Sequence, residues 1–146
     1  MYEKYSRQAL PSSNYRQLLG SALCVFNSNN TFIIENILHL DNNKYNWYAL
    51  IDKESGKIKN DVKDILSKID ANIETLYGQI IEKRNRIIHS FQVTHNGEQI
   101  LCTKDRNNRQ YIITSEYLLN FIKDNEKLSD KLYDIRNKIK ELSVSE

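Results

Sequence analysis

Proline occurs once and glycine four times in 146 residues. So few forced turns favour long helices over a sandwich of many short strands. Cysteine occurs only as Cys24 and Cys102, far apart and without metal-ligand spacing. That excludes a disulfide framework, and both read as reduced, small core side chains of a cytoplasmic protein. Long apolar runs are missing too. Stretches such as Phe32-Ile33-Ile34 and Tyr48-Ala49-Leu50-Ile51 fall far short of the ~20 residues of a bilayer span, so no membrane partner is expected. The first residues, Met1 to Arg7, lack the apolar centre of a secretion signal. Net charge is small, +2 from 21 basic and 19 acidic side chains, and by itself it points to no partner.

What is present is enough apolar sequence for one core, 40% of residues, with 27% charged, which suits a single domain over 1–146. The positive excess is not spread evenly. Residues 83–114 hold Lys83, Arg84, Arg86, Lys104, Arg106 and Arg109 against only Glu98 and Asp105. Such a stretch suits a polyanionic partner, although a solvated face has the same composition.

Periodicity predicts a mainly α fold: a bundle of long antiparallel helices with a small antiparallel β-meander inserted before the last helix. A first helix starts near Pro11-Ser12-Ser13-Asn14 and buries Tyr15, Leu18, Leu19, Ala22, Leu23 and Phe26. Asn27-Ser28-Asn29-Asn30 is expected to weaken or break it, with helix resuming through Ile33, Ile34, Ile37 and Leu38. Residues 41–56 read as a loop with a short strand around Trp47–Ile51. From 57 to about 90 one apolar stripe runs from Ile58 through Ile73 and Ile80 to Ile88 and Phe91, predicting a single long central helix. The period then changes to two. Phe91–His95, the Asn96-Gly97 turn and Glu98–Thr103 form a hairpin signature, and a second turn at 105–108 leads to a strand over 110–114. The last helix, capped by Thr114 or Ser115, carries Leu118, Phe121, Asn125, Leu128, Leu132, Ile135, Ile139 and Leu142 at alternating spacings of three and four. That is a packing seam with Asn125 as its polar register point. The stripes on 57–91 and 118–142 look longer than one chain can bury, which predicts a homodimer.

Most familiar catalytic patterns are absent: no Gly-rich phosphate loop, no H-E-x-x-H, no paired cysteines and no G-x-S-x-G. The histidines His39, His89 and His95 have no spacing that gathers a metal, and no metal or other cofactor is expected. Attention falls on Lys83-Arg84-Asn85-Arg86-Ile87-Ile88-His89-Ser90. At ~100° per residue Arg84 lies inside the apolar stripe, where a permanent guanidinium is costly unless it meets an anion. Two structural readings compete with a functional one. Arg84 can snorkel from the stripe to water, and His89 can complement the helix dipole in the last turn.

The segment Arg84-Asn85-x-x-x-His89 resembles the R-x4-6-H signature of the HEPN superfamily, including the polar residue directly after the arginine. HEPN domains are small helical bundles, and many are metal-independent endoribonucleases of toxin–antitoxin, abortive-infection and CRISPR systems that act as dimers. The resemblance therefore implies an RNA substrate, a homodimer, an antitoxin protein as partner, and Arg84, Asn85 and His89 as the catalytic set. Lys83, Arg86, Lys104, Arg106 and Arg109 would then hold RNA. Two departures stand out. The meander is not part of the minimal HEPN bundle. Members paired with a nucleotidyltransferase antitoxin carry a modified Tyr two places after the histidine, and Phe91 has no hydroxyl there. Nucleotide transfer onto that position is excluded.

Attack of a 2′-hydroxyl on the adjacent phosphate needs a base, an acid and stabilisation of a dianionic phosphorane, but no metal. Histidine changes charge near neutral pH, so His89 suits base or acid. Arg84 offers a fork of donors for the phosphorane oxygens, and Asn85 can orient phosphate or imidazole. One histidine cannot be base and acid in one step, and Arg84 and His89 lie ~140° apart on a straight helix. A two-fold dimer would supply the missing groups. The alternatives are a non-catalytic HEPN-like RNA-binding module, or a helical dimerisation protein built on the 118–142 seam.

Overall fold

The Ser12 hydroxyl accepts the Tyr15 amide at 3.2 Å and starts helix α1, Ser13–Leu40. The computed structural model describes residues 1–41 and 44–144 of the chain. Before α1, a two-stranded hairpin pairs β1, Tyr2–Glu3, with β2, Gln8–Ala9. The sequence gives no periodic signal for it; Arg16 holds it to α1 through Glu3 at 2.8 Å and the Tyr5 hydroxyl at 2.7 Å.

The expected break at 27–30 does not occur. Asn29 and Asn30 would compete with the backbone if solvated, but both side chains find tertiary partners. Asn29 Nδ2 donates to the Asn125 carbonyl at 2.8 Å and to its Oδ1 at 3.1 Å. Asn30 donates to Ser55 Oγ at 3.3 Å and accepts from the Tyr77 hydroxyl at 2.6 Å. The strand expected at 47–51 is instead a short helix, α2, Trp47–Ile51, because Asn46 Oδ1 accepts the Ala49 amide at 2.9 Å and caps it. The loop expected around it includes positions 42 and 43, which lie outside the described residues.

The central helix is also corrected. It is two helices, α3 (Ser55–Ile65) and α4 (Ile73–Ile88), joined by a 3-10 turn over Leu66–Lys68. Asp70 Oδ1 accepts the Asn72 amide at 2.9 Å just before α4, a local bond that competes with continued helix. The stripe survives the break because both arms face one core: Ile58, Val62, Leu66, Ile73, Tyr77, Ile80 and Ile87 are all buried. Its two last members are not, since Ile88 is 48% and Phe91 44% exposed.

The meander follows as expected: β3 (Phe91–His95) pairs antiparallel with β4 (Glu98–Lys104), which pairs with β5 (Gln110–Ile112). Asn96 and Gly97 take φ of 53° and 78°, the left-handed pair that a tight hairpin turn requires. Thr114 Oγ1 then caps α5, Ser115–Val144, by accepting the Tyr117 amide at 3.0 Å. Its predicted seam from Leu118 to Ile139 is buried; Leu142 is 55% exposed.

The molecule is therefore mainly helical with a three-stranded antiparallel sheet before the last helix. The expectation that its long helices all run antiparallel needs correction. Contacts of α1 with α5 climb together along both, from Phe26 with Phe121 through Asn29 with Asn125 to Asn36 with Leu132, so this pair runs parallel. Helix α4 opposes both, placing Tyr77 by Asn30 and Arg84 by Phe26, with Lys83 by Asp124. Helix α1 thus covers much of the apolar surface on α4 and α5, which removes excess apolar stripe as an argument for a dimer. Cys102 is buried as expected, whereas Cys24 is exposed on α1. No described helix is long and apolar enough to cross a membrane.

Candidate active site

Helix α4 ends at His89, whose backbone has φ −94° and ψ 31° and whose amide donates to the Asn85 carbonyl at 2.9 Å. Ser90 closes the end by donating its hydroxyl to the Ile87 carbonyl at 2.6 Å. The chain turns here from helix into β3, and His89 stands exposed at the junction. Its imidazole makes no hydrogen bond or ion pair among the described residues.

The three cations just before it go to three different elements. Lys83 pairs with Asp124 of α5, and its carbonyl accepts from the Tyr117 hydroxyl at 3.4 Å. The Arg84 guanidinium faces α1, 5.1 Å from the ring centroid of Phe26, within cation–π range. Arg84 Nε is buried and meets no acceptor, and the side chain makes no hydrogen bond or ion pair among the described residues. Arg86 Nη1 donates to the Lys104 carbonyl at 2.7 Å, and its Nε lies 3.9 Å from Glu82. Asn85 is half-buried, with no side-chain hydrogen bond among the described residues.

The Arg86 bond ties the end of β4 to the end of α4. The β3–β4 register begins at Phe91 opposite Cys102, and Lys104, two places further along β4, pairs with Gln110 of β5. The following turn is ordered by Asp105, whose Oδ1 accepts the amides of Asn107 at 2.8 Å and Arg109 at 3.0 Å. Lys104 Nζ donates to Asn108 Oδ1 at 2.9 Å, a neutral partner that leaves its charge uncompensated. Arg106 and Arg109 are exposed, and their guanidinium groups have no partner among the described residues. The exposed His89 thus ends a helix that Arg86 fastens to β4 at Lys104, the strand end from which the 105–109 turn carries two further unpaired cations.

Of the predicted residues, His89, Lys104, Arg106 and Arg109 stay exposed and without an ion pair among the described residues. The fold assigns Lys83 and Arg86 to structural bonds. It does not join Arg84 to His89: Arg84 faces α1 while His89 stands at the helix end, as their angular separation requires. Burial pushes the Tyr77 hydroxyl well above its usual pKa, against the opposing pull of Ser55 and the Arg84 charge, so it stays a neutral donor to Asn30. Sequence reasoning missed the anchoring role of Arg86, because its acceptor is a backbone carbonyl that no side-chain pattern reveals.

A cleft of about 530 Å³ opens between the C-terminal parts of α1 and α5, lined by Asn36, His39, Arg136 and Ser143. It lies toward the other end of α4 from His89. The candidate site is a surface patch, which suits a polymer better than a small molecule. Compared with models of known protein families, with curated proteins and with solved structures, the chain matches none.

Proposed function

We propose that the chain is a metal-independent endoribonuclease of the HEPN type, acting as the toxin or effector of a defence module. The observation that carries this reading is an unpartnered, exposed His89 at the end of a helix that Arg86 ties to the β4 end bearing the unneutralised cations of the meander. The Arg84-Asn85-x-x-x-His89 spacing and the mainly helical fold support it further. In the reaction a base removes the 2′-hydroxyl proton and the oxygen attacks phosphorus. The bond to the 5′-oxygen breaks, and an acid returns a proton to that oxygen. The products are a 2′,3′-cyclic phosphate and a 5′-hydroxyl, so atoms and charge balance without an added co-reactant.

His89 acts as base or acid, Arg84 stabilises the phosphorane, and Asn85 orients it. Because Arg84 and His89 diverge on one chain, the complete site takes a second copy whose corresponding pair approaches across a two-fold axis. The bundle of the HEPN type would then place two such pairs along one groove, with Lys104, Arg106 and Arg109 guiding the flanking phosphates. The same divergence favours one competing reading, an RNA-binding module without catalysis, in which Arg84 is a packing residue held over Phe26. Cleavage of RNA in the presence of EDTA, compared between wild type and the His89→Ala and Arg84→Ala variants, separates the two.

A further inference from the structure

Phe91 has no role in the reaction above, yet it is a large aromatic side chain 44% exposed two residues after His89. Its exposure follows from the sheet. The sheet order is β3-β4-β5, so Phe91 lies on an edge strand, and directly paired residues on antiparallel strands point to the same face. Phe91 pairs with Cys102, and Cys102 with Ile112. Cys102 is only 5% exposed and Ile112 half-buried, so the row is covered at its inner members and open at its outer end. Water therefore meets the Phe91 ring at the open end of that row. His89 precedes it by two residues, and Lys104 follows its partner Cys102 by two on β4, leading into the Arg106–Arg109 turn.

We propose that Phe91 is a base-stacking site, its ring packing on an unpaired base next to the phosphate at which His89 transfers a proton. The inference rests on the endoribonuclease reading and deepens it, by selecting RNA that is single-stranded at the cut. A base in a duplex is already stacked on both faces and has no face to offer the ring. The surrounding cations argue for a nucleotide over an apolar protein segment as occupant: Lys104, Arg106 and Arg109 would be buried unpaired under such a segment but meet phosphates along a strand.

The test uses an unstructured RNA with 2-aminopurine beside the cut site, in a cleavable form and in a form blocked by 2′-deoxy substitution there. Wild type, Phe91→Leu and Phe91→Trp are compared; leucine keeps the apolar contact with the sheet edge and tryptophan restores a ring. The expected result is a change in 2-aminopurine fluorescence on binding of the blocked RNA to wild type and Phe91→Trp, absent in Phe91→Leu. Phe91→Leu also raises KM by about ten-fold or more, with kcat nearly unchanged. A hybrid with the complementary strand is left uncut. Equal KM and equal fluorescence change for Phe91→Leu and wild type, in a wild type that cleaves, overturn the stacking role and leave the nuclease reading intact. A Phe91→Leu chain that changes oligomeric state at unchanged RNA affinity overturns it in favour of a protein contact. A wild type that neither binds nor cuts RNA removes both readings at once.

Discussion

The guanidinium of Arg86 donates to the backbone carbonyl of Lys104 at 2.7 Å, fastening the last turn of α4 to the end of β4. This bond joins the helix end that carries the exposed His89 to the strand end that carries Lys104. It gives Arg86 a positioning role that its charge alone does not suggest.

Arg86→Ala should leave the Lys104 carbonyl without this donor and free the 104–109 turn. The expected cost is about 0.5–1.5 kcal/mol, since the bond is exposed to solvent. Hydrogen exchange should speed up over 104–109 while the β3–β4 pairing stays protected. Unchanged exchange there would show that the turn is held by Asp105 alone.

A second prediction concerns the buried polar contact between α1 and α5. Asn29 is 5% and Asn125 1% exposed, and Asn125 also donates to the Phe121 carbonyl at 3.0 Å. Replacing Asn29 by Ala strands the Asn125 oxygen in the core, so each single Ala variant should lose about 1–3 kcal/mol. The double variant should lose less than the sum, by a coupling of about 0.5–3 kcal/mol in denaturant melts. Strict additivity would show that the pair does not act as a unit.

Much of this helix pair was legible in sequence. The spacing of Leu118, Phe121, Asn125 and Leu128 announced the α5 seam with its polar member, and Asn96-Gly97 announced the hairpin. The rest was hidden for identifiable reasons. Asn27–Asn30 looks like a breaker because local sequence cannot reveal that Asn29 and Asn30 have partners 96 and 25 or 47 positions away. The stripe from Ile58 to Ile88 looks continuous because two arms facing one core preserve its apolar pattern. Parallel packing of α1 and α5 depends on the path between them, which periodicity does not encode. For the candidate site, sequence supplied Arg84, Asn85 and His89, but their placement relative to the meander came from a side chain bonding to a backbone carbonyl.

The meander cations should act on RNA by charge. Replacing Lys104, Arg106 and Arg109 together by Ala should weaken RNA binding about equally for all sequences. It should also lower the slope of log affinity against log salt by about two, at ~0.7 per phosphate contact on a single strand. An unchanged slope would make the meander a structural insert.

Self-association is expected on chemical grounds, because one chain supplies one histidine to the proposed site. Light scattering at micromolar concentration should give twice the 17.2 kDa chain mass. Mixing wild-type with excess His89→Ala chains should lower activity by more than dilution alone if groups from two copies share a site. A monomer mass at that concentration would contradict the shared site.

The central claim is that His89 and Arg84 act on a phosphodiester, and cleavage of an unstructured RNA in EDTA tests it most directly, read together with thermal melts. Wild type should cut and leave 2′,3′-cyclic phosphate ends, and 2′-deoxy substitution at the cut site should block it. His89→Ala should abolish cutting with little change in melting temperature, since its imidazole bonds to nothing among the described residues. Arg84→Ala should also abolish cutting while stability stays within about 1 kcal/mol. The lost contact with Phe26, ~0.5–1 kcal/mol, is offset by removal of a buried N–H that has no acceptor. RNA left intact by a folded wild type, or cut equally well by His89→Ala, would contradict the account.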